Sequence, residues 1–243
     1  MYTITEIQKM VFFDLETVSC HASLADLEME NPAMAKLWSK RCEFLRERYS
    51  ENSEKTDSEL YVEKAALHPE FGKIICATFG RIQFQEGEPY LTLKTYSGEE
   101  VNTLDGIEKV FTKFSNYKFV GHNIKRFDVP FMCKRLLINE KPLPVGLQIQ
   151  NLKPWEMPFI DTCELWSFGA WQESFASLEL LATSLGLPTS KDDISGKEVG
   201  KVWYENGDEA RIATYCQADV LSVSQVILKL SGHSVVQDYQ LQQ

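Results

Sequence analysis

The chain places carboxylates where an apolar core is otherwise being built. In Val11-Phe12-Phe13-Asp14-Leu15-Glu16-Thr17, two acids two residues apart interrupt a run of strand composition. The two-residue period of a strand puts both side chains on one face of a sheet. Like charges buried together repel, and each costs several kcal/mol to desolvate, so the pair is poor as structure and sensible as a site for hard divalent cations, which prefer oxygen ligands. The alternative is a strand that ends near Phe13, with both acids solvated in a loop. A second stretch, Gly121-His122-Asn123-Ile124-Lys125-Arg126-Phe127-Asp128-Val129-Pro130, runs from a strand through a loop to a helix start. Asp128 there either caps the free N–H groups of the first turn or faces a metal as a third carboxylate. His122 has no His or Cys partner at helical spacing and reads as a hydrogen-bonded strand-end residue rather than a ligand. In a third stretch, Tyr215-Cys216-Gln217-Ala218-Asp219, four residues make one helical turn, so Tyr215 and Asp219 share a face. Ile212, Val223 and Val226 put that face beside the packing stripe, against the simpler reading of a core Tyr and a surface Asp.

The elements that must hold these residues follow from periodicity. Strands are expected at Met10–Leu15, Lys73–Gln83, Tyr90–Tyr96, Tyr117–Val120 and Phe159–Thr162, the second and third joined by the turn-rich Gln85-Glu86-Gly87-Glu88-Pro89. Helical repeats run over Leu104–Phe114, Pro130–Leu137, Ser177–Leu185 and Glu209–Leu230, with a polar loop containing Lys191-Asp192-Asp193 between the last two. Residues 21–67 are rich in mixed charge, with helical spacing around Met34, Leu37, Trp38 and Leu45. They read as a helical insertion whose charges form a solvated face or cover a cleft as a lid. No linker splits the chain, so the expectation is one α/β domain over residues 1–231 and a frayed polar tail over 232–243.

Composition sets outer limits. The 243 residues carry 25 Lys+Arg against 35 Asp+Glu, a net charge of −10, with 44% hydrophobic and 25% charged residues. That matches a globular chain and excludes disorder, a collagen-like fibre or a disulfide scaffold. Apolar stretches such as Met10–Phe13 are far short of the roughly 20 residues needed to cross a bilayer, and Met1-Tyr2-Thr3-Ile4-Thr5-Glu6 lacks the pattern of a secretory signal. The expected location is therefore the cytoplasm, away from membranes. The six cysteines are scattered, never form Cys-x-x-Cys, and read as free thiols. A charge of −10 does not suit a nucleic-acid coat protein, but it does not exclude an enzyme that meets phosphate through bound cations.

Taken in order, Asp14-x-Glu16, Asn123-x-x-x-Phe127-Asp128 and Tyr215-x-x-x-Asp219 resemble the three exonuclease motifs of the DEDD superfamily, DnaQ-like 3′-5′ exonucleases, in its tyrosine-containing branch. The match spans residues 11–230. His68-Pro69-x-Phe71-Gly72-Lys73-Ile74-Ile75, Asp161-Thr162, Ser177-Leu178-x-x-Leu181 and Gly196-x-x-Val199 are similar to the proofreading domain of family B DNA polymerases. In the histidine branch a His stands five residues before the last Asp; here that position is Thr214. The resemblance implies a ribonuclease-H-like fold, a central mixed five-stranded sheet flanked by helices, and metal-dependent hydrolysis of nucleotides from 3′ ends. Carried over by motif, Asp14, Glu16, Asp128 and Asp219 would bind two divalent cations, Mg²⁺ or Mn²⁺. Tyr215 would orient the attacking water, and Thr17, Asn123 and Phe127 would face the terminal nucleotide, although Phe127 could equally be core beside Phe131. Lys125, Arg126, Lys134 and Arg135 form a basic cluster that either holds backbone phosphates or is a solvated helix face.

The leading expectation is a stand-alone exonuclease acting on the 3′ ends of single-stranded DNA. The alternatives are a 3′-5′ exoribonuclease and a catalytically silent nucleic-acid-binding module. No polymerase motif follows the last helix, so any polymerase or repair partner would be a separate chain.

Overall fold

The computed structural model describes residues 1–153, 155–170, 176–188, 194–237 and 239–241. The expected loop at 191–193 lies outside them. A mixed sheet of six strands, in the order β5-β4-β1-β2-β3-β6, forms the centre. β1 (Met10–Ser19) lies between β2 (Gly72–Gln85), its antiparallel partner, and β4 (Lys118–Gly121), its parallel partner. β3 (Glu88–Ser97) continues the hairpin from β2, and β5 (Phe159–Asp161) runs parallel to β4.

β1 does not stop at Phe13. Asp14 pairs with Thr78 and Glu16 with Cys76 inside the ladder, so the loop alternative for the two acids does not hold. Alternation divides the neighbours. Val11, Phe13 and Leu15 join a core with α5 (Glu100–Lys113) and α6 (Asp128–Ile138), while Met10 and Phe12 pack with α10 (Glu209–Leu230) on the other face. The first core is aromatic: the rings of Phe111 and Phe119 stack at 4.0 Å between centroids, and Phe13 meets both edge-on. Such pairs add about 0.5–1.5 kcal/mol each beyond the area they bury.

The insertion consists of α2 (Leu24–Glu30), α3 (Pro32–Arg48) and α4 (Asp57–Lys64). Asn31 caps α3 ahead of Pro32, whose missing N–H costs nothing in a first turn, and Thr56 and Glu59 form a capping box on α4. Trp38, Cys42, Leu60 and Tyr61 give these helices a small core of their own, joined to the sheet side by Phe71.

Two expectations are corrected at the C-terminus: the sheet has six strands instead of five, and the tail is not frayed throughout. β6 (Tyr239–Leu241) pairs parallel to β3, Val236 is buried with the α10 core, and Gln225 Nε2 donates to the Val236 carbonyl at 3.2 Å. A polar edge strand held by main-chain pairing leaves no hydrophobic alternation in the sequence.

At Gly121 the chain leaves β4 in close contact with β1. A Cβ there would lie 2.2 Å from Ile124 Cγ2 and 2.9 Å from the Phe13 carbonyl oxygen. Gly121→Ala should therefore lower stability by about 1–3 kcal/mol, the range for overpacking a filled site. Thermal denaturation would show this as a lowered midpoint.

Candidate active site

β4 pairs only with Met10 to Phe12. From Phe13 onward no strand among the described residues lies beside that edge of β1, and the chain turns after Gly121. Asn123 takes a left-handed conformation in the turn, at φ 60°. The turn is held by Asp161, whose buried carboxylate accepts the N–H groups of Asn123 (2.8 Å), Lys125 (3.1 Å) and Cys163 (3.0 Å). Asp128 then opens α6 beside β1. Its carboxylate accepts both its own N–H, one of the free donors of the first turn, and the Leu15 N–H of β1.

α10 closes the site from the other side. Gly207, at φ 64°, turns the chain, and Asp208 caps the helix by accepting the Arg211 N–H at 3.1 Å. One turn apart, Tyr215 and Asp219 project toward β1, and the Tyr215 hydroxyl donates to the Asp219 carboxylate. Four carboxyls thus meet from three segments. Asp14 and Glu16 lie within 4.8 Å of one another and of the Cys216 thiol, and Asp219 and Asp128 act electrostatically on both acids.

The electrostatics show the cost of this arrangement. Burial pushes the Asp14 and Glu16 carboxyls well above the ordinary carboxylate range, and the charge of Asp219 pushes them further. Burial raises Asp128 to about 7, with Asp161 and Asp219 adding to it. Burial likewise raises the Tyr215 phenol and the Cys216 thiol, so both keep their protons at neutral pH. Cys216 Sγ donates to the Asp14 carbonyl at 3.4 Å. The donors left for a ligand are carboxylate oxygens, a set that fits hard divalent cations such as Mg²⁺ or Mn²⁺ and would offset the repulsion.

The other expected residues fall less uniformly. Asn123 sits in the turn with a buried Oδ1 that has no partner among the described residues. Phe127 is half-buried against Phe131, with ring centroids 5.4 Å apart. Thr17 is not brought to the carboxylates: alternation directs it to the other face of β1, and its hydroxyl donates to the Ala66 carbonyl at 2.9 Å. His122 is bracketed by Thr162 Oγ1 at 2.8 Å and the Ala176 carbonyl at 2.9 Å, a strand-end role.

The expected basic residues in and before α6 do not form one cluster. Arg135 is buried in a two-pronged ion pair with Glu100 and donates to the Pro69 carbonyl at 2.9 Å. Lys134 pairs with Glu70 at 3.5 Å and Lys125 with Glu164 at 2.6 Å. Asp161 and Cys216 were not legible as site residues, because their partners are distant in sequence; Cys216 signalled itself only by adjoining Tyr215.

Comparison with known proteins agrees with this geometry. Residues 67–240 match the family described as "Predicted 3'-5' exonuclease related to the exonuclease domain of PolB". No curated protein sequence matches. Among solved structures, the fold is similar to the family B DNA polymerase of the hyperthermophilic archaeon Pyrobaculum calidifontis, at 14% identity and a TM-score of 0.54. The similarity covers 92% of this chain but 24% of the polymerase, so the chain spans about a quarter of that protein's length. The likeness is one of fold, and it is the ribonuclease-H-like architecture. A family match over most of the chain, on a sheet that gathers these acids, makes the protein a member of the predicted 3′-5′ exonucleases related to the exonuclease domain of PolB.

Proposed function

We propose that this chain hydrolyses phosphodiester bonds at the 3′ ends of single-stranded DNA with two divalent cations, Mg²⁺ or Mn²⁺, held by Asp14, Glu16, Asp128 and Asp219. The observation that carries the reading is the convergence of four carboxyls from three segments, of which burial makes Asp14, Glu16 and Asp128 expensive to ionise. When bound, such ions acidify a water and stabilise charge on the attacking and leaving oxygens. The chain's own contribution is position. β1 fixes Asp14 and Glu16, α10 fixes Asp219 across the cleft, and the Asp161-held turn fixes Asp128. Tyr215 keeps its proton, which it donates to Asp219, so it orients water through its hydroxyl oxygen and does not act as a base. The unpartnered Asn123 Oδ1 and the Phe127 ring supply a polar atom and a flat face for the terminal nucleotide. Thr17 has no part in this scheme.

A 5′-labelled single-stranded DNA oligonucleotide should shorten from its 3′ end with Mg²⁺ or Mn²⁺ and stay intact in EDTA. Asp14→Ala or Asp219→Ala should abolish the ladder, while Tyr215→Phe stays within about a hundredfold of wild type, as for loss of positioning alone. A matched RNA strand decides the sugar: faster RNA shortening would make the chain an exoribonuclease. Binding without shortening of either strand would make it a silent binding module.

The raised carboxyl values also predict a pH-dependent stability. Between about pH 4 and pH 7 the folded chain holds a proton on Asp128 that the unfolded chain has lost, and Asp14 and Glu16 are shifted in the same direction, so this contribution is full below about pH 4 and is lost as pH rises through the folded values. The metal-free thermal midpoint should accordingly fall by several degrees between pH 5 and pH 8. Mn²⁺ should restore it at pH 8. Asp128→Asn should raise the metal-free midpoint at pH 8 and weaken the response to Mn²⁺.

A further inference from the structure

The sheet face turned away from the carboxylates carries a second site. Between the β2–β3 hairpin and the C-terminal end of α5 lies a cleft of about 190 Å³, floored by Val11 and Phe79. Four cations line it: Arg81 from β2, Lys94 from β3, and Lys109 and Lys113 one turn apart on α5. No carboxylate is among its lining residues, in a chain whose net charge is −10. None of the four cations makes an ion pair among the described residues. Asp105, one turn before Lys109, pairs with Lys141 and feels the Lys109 charge without an ion pair to it.

Helix polarity explains part of this, since cations favour a helix C-terminus. It accounts for Lys109 and Lys113 and not for Arg81 and Lys94, which come from the sheet. Arg81 is also held in place: its guanidinium carbon lies 5.0 Å from the Phe114 ring centroid and 5.1 Å from that of Tyr117, and Nη2 donates to the Gln8 carbonyl at 3.3 Å. Its Nε is buried with no acceptor. Four like charges around one cleft repel, and an arginine fixed by aromatic faces with a donor to spare is arranged for an anion that the protein does not itself provide.

We propose that this cleft binds a phosphate group, with Arg81, Lys94, Lys109 and Lys113 supplying the charge. Phosphate is favoured over a carboxylate because the donors converge from three elements, which suits an ion with several outward-facing oxygens better than the two coplanar ones of a carboxylate. The volume is below the roughly 300–1,000 Å³ of pockets that enclose a whole small molecule, so the phosphate enters and whatever it is attached to stays outside, beside Phe114. The site lies across the sheet from Asp14, so the phosphate is not the scissile one. It comes either from a free mononucleotide or from another part of a nucleic-acid strand.

Binding can be measured without catalysis, in EDTA and in the Asp14→Asn background, so that this site and the exonuclease reading can fail separately. The probes are inorganic phosphate and thymidine 5′-monophosphate by calorimetry, and a labelled single-stranded oligothymidylate by fluorescence anisotropy. Each bound probe should lose at least about tenfold in affinity in Lys94→Ala/Lys113→Ala, and the exposed single change Lys113→Glu should act in the same direction. Oligonucleotide affinity should fall steeply with salt. Tighter binding of the oligonucleotide than of the monophosphate identifies a strand as the source, and equal binding identifies a free mononucleotide. The proposal is overturned if no probe binds, if the variants with unchanged far-ultraviolet circular dichroism bind as wild type does, or if an oligoglutamate peptide binds as tightly as the phosphate probes.

Discussion

The constraint on which the structure turns is the crowding of acids at one point of the sheet. Two unit charges about 4 Å apart cost about 4 kcal/mol even at an effective dielectric of 20. Asp14 and Glu16 are that close, with Asp128 and Asp219 acting on them from either side. No fold places them so without help from its packing. β1 can carry them because its other face is locked into the Phe13, Phe111 and Phe119 core and its flank is paired along β2. The short β4 matters equally: by ending at Gly121 it frees the edge of β1 and lets the Asp128 turn approach.

Asp161 shows what distinguishes a ligand-type carboxylate from a structural one. It is as buried as Asp128 and lies in the same corner, yet it accepts three backbone N–H groups, which replace the water it lost. Asp14 and Glu16 have only side-chain partners, Cys216 for Asp14 and Asp14 for Glu16, so burial raises both carboxyls. Burial with three backbone donors makes Asp161 an anchor of the turn.

The sequence carried the parts of the site that rest on local periodicity. Asp14 and Glu16 declared themselves by the strand period, and Tyr215 and Asp219 by the helical turn. Asp128 was left between capping and metal-facing, and the structure shows its carboxylate on its own first-turn N–H and on the Leu15 N–H, a contact open to it because β4 pairs with β1 only at Met10 to Phe12. Long-range partners were not legible. Arg135 looked like a phosphate contact until Glu100, 35 residues away, took its charge. Thr17, expected to face the nucleotide because it follows Asp14-x-Glu16 in the motif, lies next to Glu16 on a strand whose neighbours face opposite ways, and its hydroxyl is on the Ala66 carbonyl. The edge strand β6 was hidden for a related reason, since its pairing is made by the main chain and its side chains report nothing.

Charge has to be read by location in such a molecule. A net charge of −10 describes the field far from the surface, while a phosphate within a Debye length, about 10 Å at 0.1 M salt, meets the nearest groups first. On the α10 face those groups are the acids Asp14, Glu16, Asp128 and Asp219, and in the proposed scheme a strand would meet them through bound cations. On the α5 face the nearest groups are Arg81, Lys94, Lys109 and Lys113, whose attraction needs no metal. The central sheet separates the two by its own thickness, so neither cluster neutralises the other, and each keeps the sign its ligand requires.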